Sequence, residues 1–352
     1  QYFLEYRRWI VDSRGFVVLS VTYNTLFLVT LLILFKFDLV EDVNQILIID
    51  AFIMLIIFAY LLLSVHREFG FFFGTFSFKE LIAEMKLGFP FAVGGLGEIT
   101  MATADRFMIV YFFGLLEAGL YSTGYMIGSL SLIFARVIGL FLPQHMFANR
   151  DSTSVQGVND LLNVSLFSFL CVSIPFIFLL ILTGSEVLSY LNIVSEEAHF
   201  SMIFISASSV FLGTYLLACS VTFMEKKTDQ QMKLVIIFSL INIALNYGLM
   251  STFDSFVMAS AVTLITYAAL LLSFIWYLGG IWVFSFRAKF IQVPLGASLL
   301  SYVITDLCGE MLVNSQVILI EGLFFIAFYF ISLLLAIKYL NISSLFVSLR
   351  RT

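Results

Sequence analysis

Apolar runs long enough to cross a membrane recur along the whole chain. A helix needs about 20 apolar residues to cross a hydrocarbon core roughly 30 Å thick. On that criterion we predict spans at 16–36, 44–65, 88–114, 119–142, 158–183, 200–224, 231–251, 256–279, 290–308 and 316–339. Stretches such as SIPFIFLLIL (173–182) lack the alternation of β-barrel strands. The sequence therefore predicts an all-α polytopic membrane protein with ten helical spans.

The composition excludes a soluble domain. Hydrophobic residues make up 61% of the 352 residues and charged residues only 12%, whereas soluble domains carry about 25% charged residues. The three cysteines lie inside apolar runs without the spacing of metal ligands, so we expect packing roles for them and no metal site. The sequence shows no Walker A motif, so we expect no energy from bound ATP.

Lysines and arginines alternate in a pattern that orients the ten spans. The chain has 18 lysines and arginines. If the N-terminal segment is cytoplasmic, fifteen of these residues fall on the cytoplasmic side, two lie within spans, and Lys36 alone faces outward. This is a strong positive-inside bias. It also tests the number of spans, because a missed span would invert every later loop. Both ends of the chain are then predicted to be cytoplasmic.

The longest inner connection, residues 66–87, contains the segment SFKELIAEMKL (77–87). Its apolar residues fall mostly on one face, which predicts an amphipathic helix on the inner membrane surface. Such a helix either joins two helical lobes or is an ordinary loop helix. We favour the two interpretations equally. The chain opens at Gln1 with a string that reads like the tail of an earlier helix, so we expect an N-terminal truncation.

Four ionisable residues lie deep inside predicted spans: Glu98, Asp105 and Arg106 in the third, and Arg136 in the fourth. Charges at this depth cost several kcal/mol and are functional hypotheses by default. At 1.5 Å per residue, Glu98 lies about 15 Å from the inner end of its helix, at a depth close to that of Arg136. The two residues either form a structural ion pair or line a water-filled cavity for an anionic group and a coupling ion. We favour the cavity.

Small and polar residues in other parts of the spans also allow two interpretations. Gly94, Gly95 and Gly97 weaken the third helix, which suits either bending during alternating access or close helix packing. Asn242 and Asn246 lie one turn apart and should hydrogen-bond to a neighbouring helix. We favour a packing role for this asparagine pair.

The segment FPFAVGGLGEITMATADRFMIVYFFGLLEAGLYSTGYMIGSL (89–130) resembles the seventh helix and following turn of polysaccharide flippases. These flippases belong to the multidrug/oligosaccharidyl-lipid/polysaccharide superfamily. The matching features are Pro90 at the helix start, Asp105-Arg106 late in the helix, Gly114, Gly119-Leu120-Tyr121-Ser122 at the hairpin, and Pro143 at the end of the next helix. INIALNYGLM (241–250) and ASAVTLITY (259–267) look like the family's eleventh and twelfth helices, although Asp254 and Val257 stand where glycines are expected.

The family commonly has fourteen helices, in two six-helix lobes followed by two additional helices. The resemblance implies that this chain holds helices five to fourteen of a MATE-like two-lobe architecture. Residues 1–66 would be the last two helices of the N-terminal lobe, and 67–87 the cytoplasmic connector. Residues 88–280 would be the six-helix C-terminal lobe, and 281–352 the two additional helices.

The resemblance also implies a function. Flippases of this family move an undecaprenyl-pyrophosphate-linked oligosaccharide across the bacterial inner membrane for O-antigen, capsule or exopolysaccharide synthesis. Arg106 and Arg136 would bind the pyrophosphate, since guanidinium groups bind phosphate bidentately. Glu98 and Asp105 would couple transport to protons or sodium, with no other cofactor. Expected partners are the lipid-linked oligosaccharide, membrane lipids and glycan polymerase or assembly proteins, and no nucleic acid.

Two other functions stay open. A multidrug exporter of the same superfamily would bind amphipathic cations in an acidic, aromatic cavity, and the deep Arg106 and Arg136 argue against it. A membrane enzyme of glycan assembly, such as a polymerase or ligase, resembles a fold with a large periplasmic loop, whereas every predicted outer connection here is short. We therefore predict a transporter without catalytic residues rather than an enzyme.

Overall fold

The computed structural model describes residues 13–36, 43–69, 77–148, 155–225, 227–279, 289–309 and 317–339. The helices in these ranges are α1 (Ser13–Lys36), α2 (Val43–Phe69), α3 (Phe78–Phe112), α4 (Leu115–Gly128), α5 (Leu132–Ala148), α6 (Val155–Tyr190), α7 (Glu196–Met224), α8 (Thr228–Phe253), α9 (Val257–Gly279), α10 (Lys289–Gly309) and α11 (Val317–Tyr339). Each predicted span coincides with one of these helices, or with α4 and α5 together. The predicted all-α fold is confirmed.

Seven segments of the described chain are long and apolar enough to cross a membrane. They are the combined α4 and α5 segment and the six helices from α6 to α11. The first two helices carry shorter apolar stretches, at Val21–Leu34 and Gln45–Tyr60. The α3 helix is not among the seven, and it carries Glu98, Asp105 and Arg106. The chain is a multi-pass membrane protein.

The chain divides into two compact units, residues 1–80 and 81–352. In the first unit α1 packs against α2, and the Tyr23 hydroxyl donates a hydrogen bond to the Asp50 carboxylate. The boundary between the units falls inside the predicted connector 67–87. The predicted amphipathic segment is helical, and it forms the beginning of α3 rather than a helix of its own. The assignment of the chain to two transporter lobes stays a prediction.

The α7 helix lies at the centre of the second unit, where it contacts α4, α5, α6 and α9. Its close approach to α4 depends on Gly124 and Gly128. A Cβ atom on these glycines would lie 2.8 Å from the Ala198 carbonyl oxygen and 2.4 Å from the Met202 carbonyl oxygen, respectively. Small residues at this spacing allow membrane helices to pack backbone to backbone. Backbone contact therefore joins α4 to α7.

The last two helices belong to the same compact unit as the predicted six-helix lobe. Phe290 of α10 and Tyr329 of α11 are buried in a cluster with Phe167 of α6. The Tyr329 hydroxyl also donates a 2.6 Å hydrogen bond to the Cys171 carbonyl oxygen. Residues 289–309 and 317–339 therefore dock on α6.

The fourth predicted span, 119–142, is not one continuous helix. A 3₁₀ turn at Ser129–Ser131 separates α4 from α5, and α5 continues through Pro143 to its end. The predicted helix end at Pro143 was wrong. Within a membrane a proline is tolerated inside a helix, because neighbouring helices satisfy the backbone groups that it frees. A 3₁₀ stretch within a helical segment often marks a functional hinge.

Candidate functional site

A cavity of about 630 Å³ lies between α3, α4, α5, α7 and α9 in the second unit. Its charged lining residues are Glu98 on α3 and Arg136 on α5. Tyr125 and Tyr267 contribute phenol rings, and most of the remaining wall is apolar. The 3₁₀ turn at Ser129–Ser131 borders the same cavity through Ser129. The break in the helical segment therefore forms part of the cavity wall.

Two of the four predicted site residues lie on this cavity wall. The Arg136 side chain is exposed and the Glu98 side chain is partly buried. The structure thus places together the acid and the base that the sequence predicted at similar depth. Because Arg136 is exposed, its guanidinium group is accessible to a molecule in the cavity.

The glycines before Glu98 divide between the cavity and a helix contact. Gly95 lines the cavity. Gly97 is buried against α8, and a Cβ atom there would lie 2.7 Å from Val235 Cγ1. Of the two interpretations of these glycines, the structure supports close packing at Gly97.

Asp105 lies outside the cavity wall and is fully buried. Tyr121 of α4 donates a hydrogen bond to one of its carboxylate oxygens. The backbone N–H of Arg106 donates a 2.7 Å hydrogen bond to the other. Burying a carboxylate without such partners is strongly unfavourable. These bonds fix Asp105 at the contact between α3 and α4.

Arg106 is held by a second tyrosine of α4. Its guanidinium carbon lies 4.6 Å from the centroid of the Tyr125 ring, a cation–π geometry. Its Nε atom is buried and has no hydrogen-bond partner among the described residues. Tyr121 and Tyr125 are one turn apart, with ring centroids separated by 6.0 Å. Two successive turns of α4 therefore hold two consecutive charged residues of α3.

Buried amides join α8 to α9. Asn242 donates a 3.0 Å hydrogen bond from Nδ2 to Thr266 Oγ1 and accepts a 3.0 Å bond from Asn246 Nδ2. Both asparagines are fully buried. The predicted hydrogen bond from this asparagine pair to a neighbouring helix is confirmed. The Asn246 Oδ1 atom has no partner within the part of the chain that the structure describes.

The buried amides and Asp105 lie at the same level of the bundle. Ile109 of α3, Met250 of α8 and Ala259 of α9 form one buried cluster. Asp105 and Asn246 each precede a member of this cluster by one helical turn, about 6 Å along the axis. Asp105 and Asn246 therefore each lie one turn before the same buried cluster.

Comparison with known proteins identifies the fold. No protein-family model and no curated protein matches the chain. A solved structure described as lipid II flippase MurJ, inward closed conformation, aligns over 96% of this chain and 72% of its own, with a TM-score of 0.68. The chain has a MurJ-like fold. Since the two sequences are only 17% identical, the likeness shows the fold alone.

Within this MurJ-like fold, sequence analysis missed three residues that hold or border the site, and it also missed Asp50 of the first unit. Tyr121 and Tyr125 carried a usable signal, because side chains four apart lie on one face of a helix. Tyr267 ends the segment ASAVTLITY (259–267) of α9, and no pattern there distinguishes it. Asp50 lies within a predicted span, where an ionisable residue with a partner on the next helix is a functional candidate.

Proposed function

We propose that this protein is a flippase that moves an undecaprenyl-pyrophosphate-linked oligosaccharide across the bacterial inner membrane by alternating access. The observation that carries the proposal is the exposed guanidinium of Arg136 in a cavity between membrane helices. A cation at this depth is costly, and such residues typically pair with an opposite charge or mark a substrate pathway. Guanidinium groups bind phosphate bidentately, and Arg106 adds a second positive charge close to the cavity wall.

The fold likeness supports a lipid-linked substrate, because the structural neighbour is named a lipid II flippase. A transporter therefore fits the fold better than an enzyme of glycan assembly. In our proposal the transported glycan serves O-antigen, capsule or exopolysaccharide synthesis. Glycan polymerase and assembly proteins would take up the product on the outer side.

We further propose that Glu98 and Asp105 couple transport to a proton or sodium gradient. Glu98 faces the cavity in which the anion would bind. Asp105 is fully buried, and ionisable residues inside membrane spans mark ion and proton pathways. Collapsing each gradient separately in vesicles should identify the coupling ion. Asp105→Asn should then make transport independent of that gradient, whereas unchanged dependence in this variant would exclude Asp105.

The substrate proposal is tested with purified protein in liposomes that contain a fluorescent undecaprenyl-pyrophosphate-linked oligosaccharide. A membrane-impermeant glycosidase reports how quickly the inner-leaflet substrate becomes accessible. The protein should accelerate the movement of this substrate between leaflets, and Arg136→Ala and Arg106→Ala should abolish that acceleration. Lys233→Ala is the matched control, because Lys233 is an exposed cation of α8 outside the cavity lining.

The same variants should abolish surface glycan in cells while their amounts in the membrane stay unchanged. Normal surface glycan in both arginine variants would exclude the proposed roles of these residues. If the oligosaccharide crosses the bilayer no faster in liposomes with the protein than in protein-free liposomes, the flippase function itself is excluded.

A multidrug exporter is the second candidate. Glu98, Tyr125 and Tyr267 on the cavity wall favour it, because acidic and aromatic groups bind organic cations. The exposed Arg136 opposes it by repelling a cation. Efflux of a lipophilic fluorescent cation from cells separates the two functions. Efflux that depends on Glu98 and persists in Arg136→Ala would favour the exporter.

A further inference from the structure

Arg106 lies immediately behind the cavity wall. Ala102, one turn earlier on α3, lines the cavity, and so does Tyr125. The guanidinium carbon of Arg106 lies over the Tyr125 ring, 4.6 Å from its centroid. The Tyr125 side chain, which lines the cavity, therefore holds this positive charge at the edge of the cavity wall.

An aromatic ring attracts a guanidinium group as a cation, and the guanidinium N–H groups can still donate hydrogen bonds to another partner. Those N–H groups form the fork that binds a phosphate through two hydrogen bonds. The Nε of Arg106 is buried without a partner among the described residues. An unsatisfied buried donor is unfavourable. A ligand oxygen that accepted a hydrogen bond from this N–H would remove that cost.

The Tyr125 ring is itself fixed from two sides. It packs beside Tyr121, whose hydroxyl is bound to Asp105. Its phenol group also forms a side-chain hydrogen bond with Tyr267 of α9. The other charged groups of the cavity, Glu98 and Arg136, lie on α3 and α5. The ring is thus positioned by α4 while it holds a charge of α3.

We propose that Tyr125 is a positioning residue that presents the Arg106 guanidinium to a phosphate group at the cavity wall, and thereby sets the affinity for a pyrophosphate-bearing substrate. This inference rests on the proposed function. The aromatic face, and not the phenol hydroxyl, performs the positioning. Phenylalanine at position 125 should therefore preserve the affinity for pyrophosphate, and an aliphatic side chain should lower it.

Inorganic pyrophosphate is the probe, titrated into the purified full chain in detergent micelles and followed by calorimetry. Tyr125→Phe should bind within twofold of the wild type. Tyr125→Leu and Tyr125→Met should bind about fivefold more weakly, the loss that corresponds to an ordinary cation–π interaction. Tyr111→Leu is the matched control, because Tyr111 of α3 is 79% exposed. Thermal unfolding midpoints identify any variant that fails to fold, and the methionine variant then replaces the leucine variant.

A double-mutant cycle with Arg106→Ala distinguishes positioning from direct contact. If Tyr125 acts through Arg106, Tyr125→Leu has no further effect in the Arg106→Ala background. An equal loss in both backgrounds, or no loss in Tyr125→Leu alone, overturns the inference and leaves the proposed function intact. Absence of pyrophosphate binding by the wild type overturns both.

Discussion

The Tyr121 hydroxyl donates a hydrogen bond to the fully buried carboxylate of Asp105, and this bond joins α4 to α3 within the membrane-spanning bundle. Tyr121 is itself fully buried, in a cluster with Ile109 and Phe256. Asp105 is therefore held by a partner on the neighbouring helix, and α3 is fixed in rotation where it carries Arg106. The first prediction concerns this bond.

Tyr121→Phe should lower the free energy of unfolding by about 1–3 kcal/mol, because it leaves a buried carboxylate oxygen without its donor. Thermal or denaturant unfolding in detergent micelles measures the change. Tyr111→Phe removes a hydroxyl from an exposed ring and serves as the control. An unchanged midpoint in Tyr121→Phe would show that water or another group replaces the bond.

Gly128→Ala should destabilise the protein by about 1–3 kcal/mol, because the added methyl group overpacks the contact between α4 and α7. The new Cβ would lie 2.4 Å from the Met202 carbonyl oxygen, and backbone cannot move away as a flexible side chain can. The amount of folded protein in membranes and its unfolding midpoint report the effect. Gly119→Ala lies on the same helix with no atom within 4 Å of the new Cβ, so it should have no effect. Equal behaviour of the two variants would contradict the packing described.

Asn242→Ala and Thr266→Val should show a coupling free energy of about 0.6 kcal/mol, the average for hydrogen bonds between membrane helices. The Nδ2 to Oγ1 bond of 3.0 Å between them is the interaction removed. Unfolding of the two single variants and the double variant measures the coupling. Ser251→Ala breaks a hydrogen bond within α8 alone and should leave the coupling unchanged. Strict additivity would mean that this bond does not hold α8 to α9.

Glu98→Gln should strengthen binding of inorganic pyrophosphate about fivefold, because it removes a negative charge of the cavity wall worth about 1 kcal/mol of repulsion. If Glu98 also couples transport to an ion gradient, the same variant should bind more tightly and transport more slowly. Calorimetry and the liposome assay separate the two effects. Glu117→Gln removes a carboxylate outside the cavity lining and should change neither. Weaker pyrophosphate binding in Glu98→Gln would show that Glu98 supports the site.

The sequence predicted the helices correctly, and it also gave the depths of two charged residues inside them. The depth estimate placed Glu98 and Arg136 at similar levels, and the structure puts both on one cavity wall. The same estimate could not show that Asp105 faces a helix contact while Glu98 faces a cavity. The two residues are seven apart and lie nearly in line on α3, so only the neighbouring helices distinguish their surroundings.

The sequence by itself determined that the chain forms apolar helices that cross a membrane, because the free energy of moving a segment into lipid is a sum over its own residues. Tertiary structure decided the rest. The break at Ser129–Ser131, the approach of Gly124 and Gly128 to α7, and the pairing of Asp105 and Arg106 with two tyrosines depend on which helix faces lie together. Helix packing sets those faces through contacts between residues far apart in the chain, and no local sum over the sequence contains them.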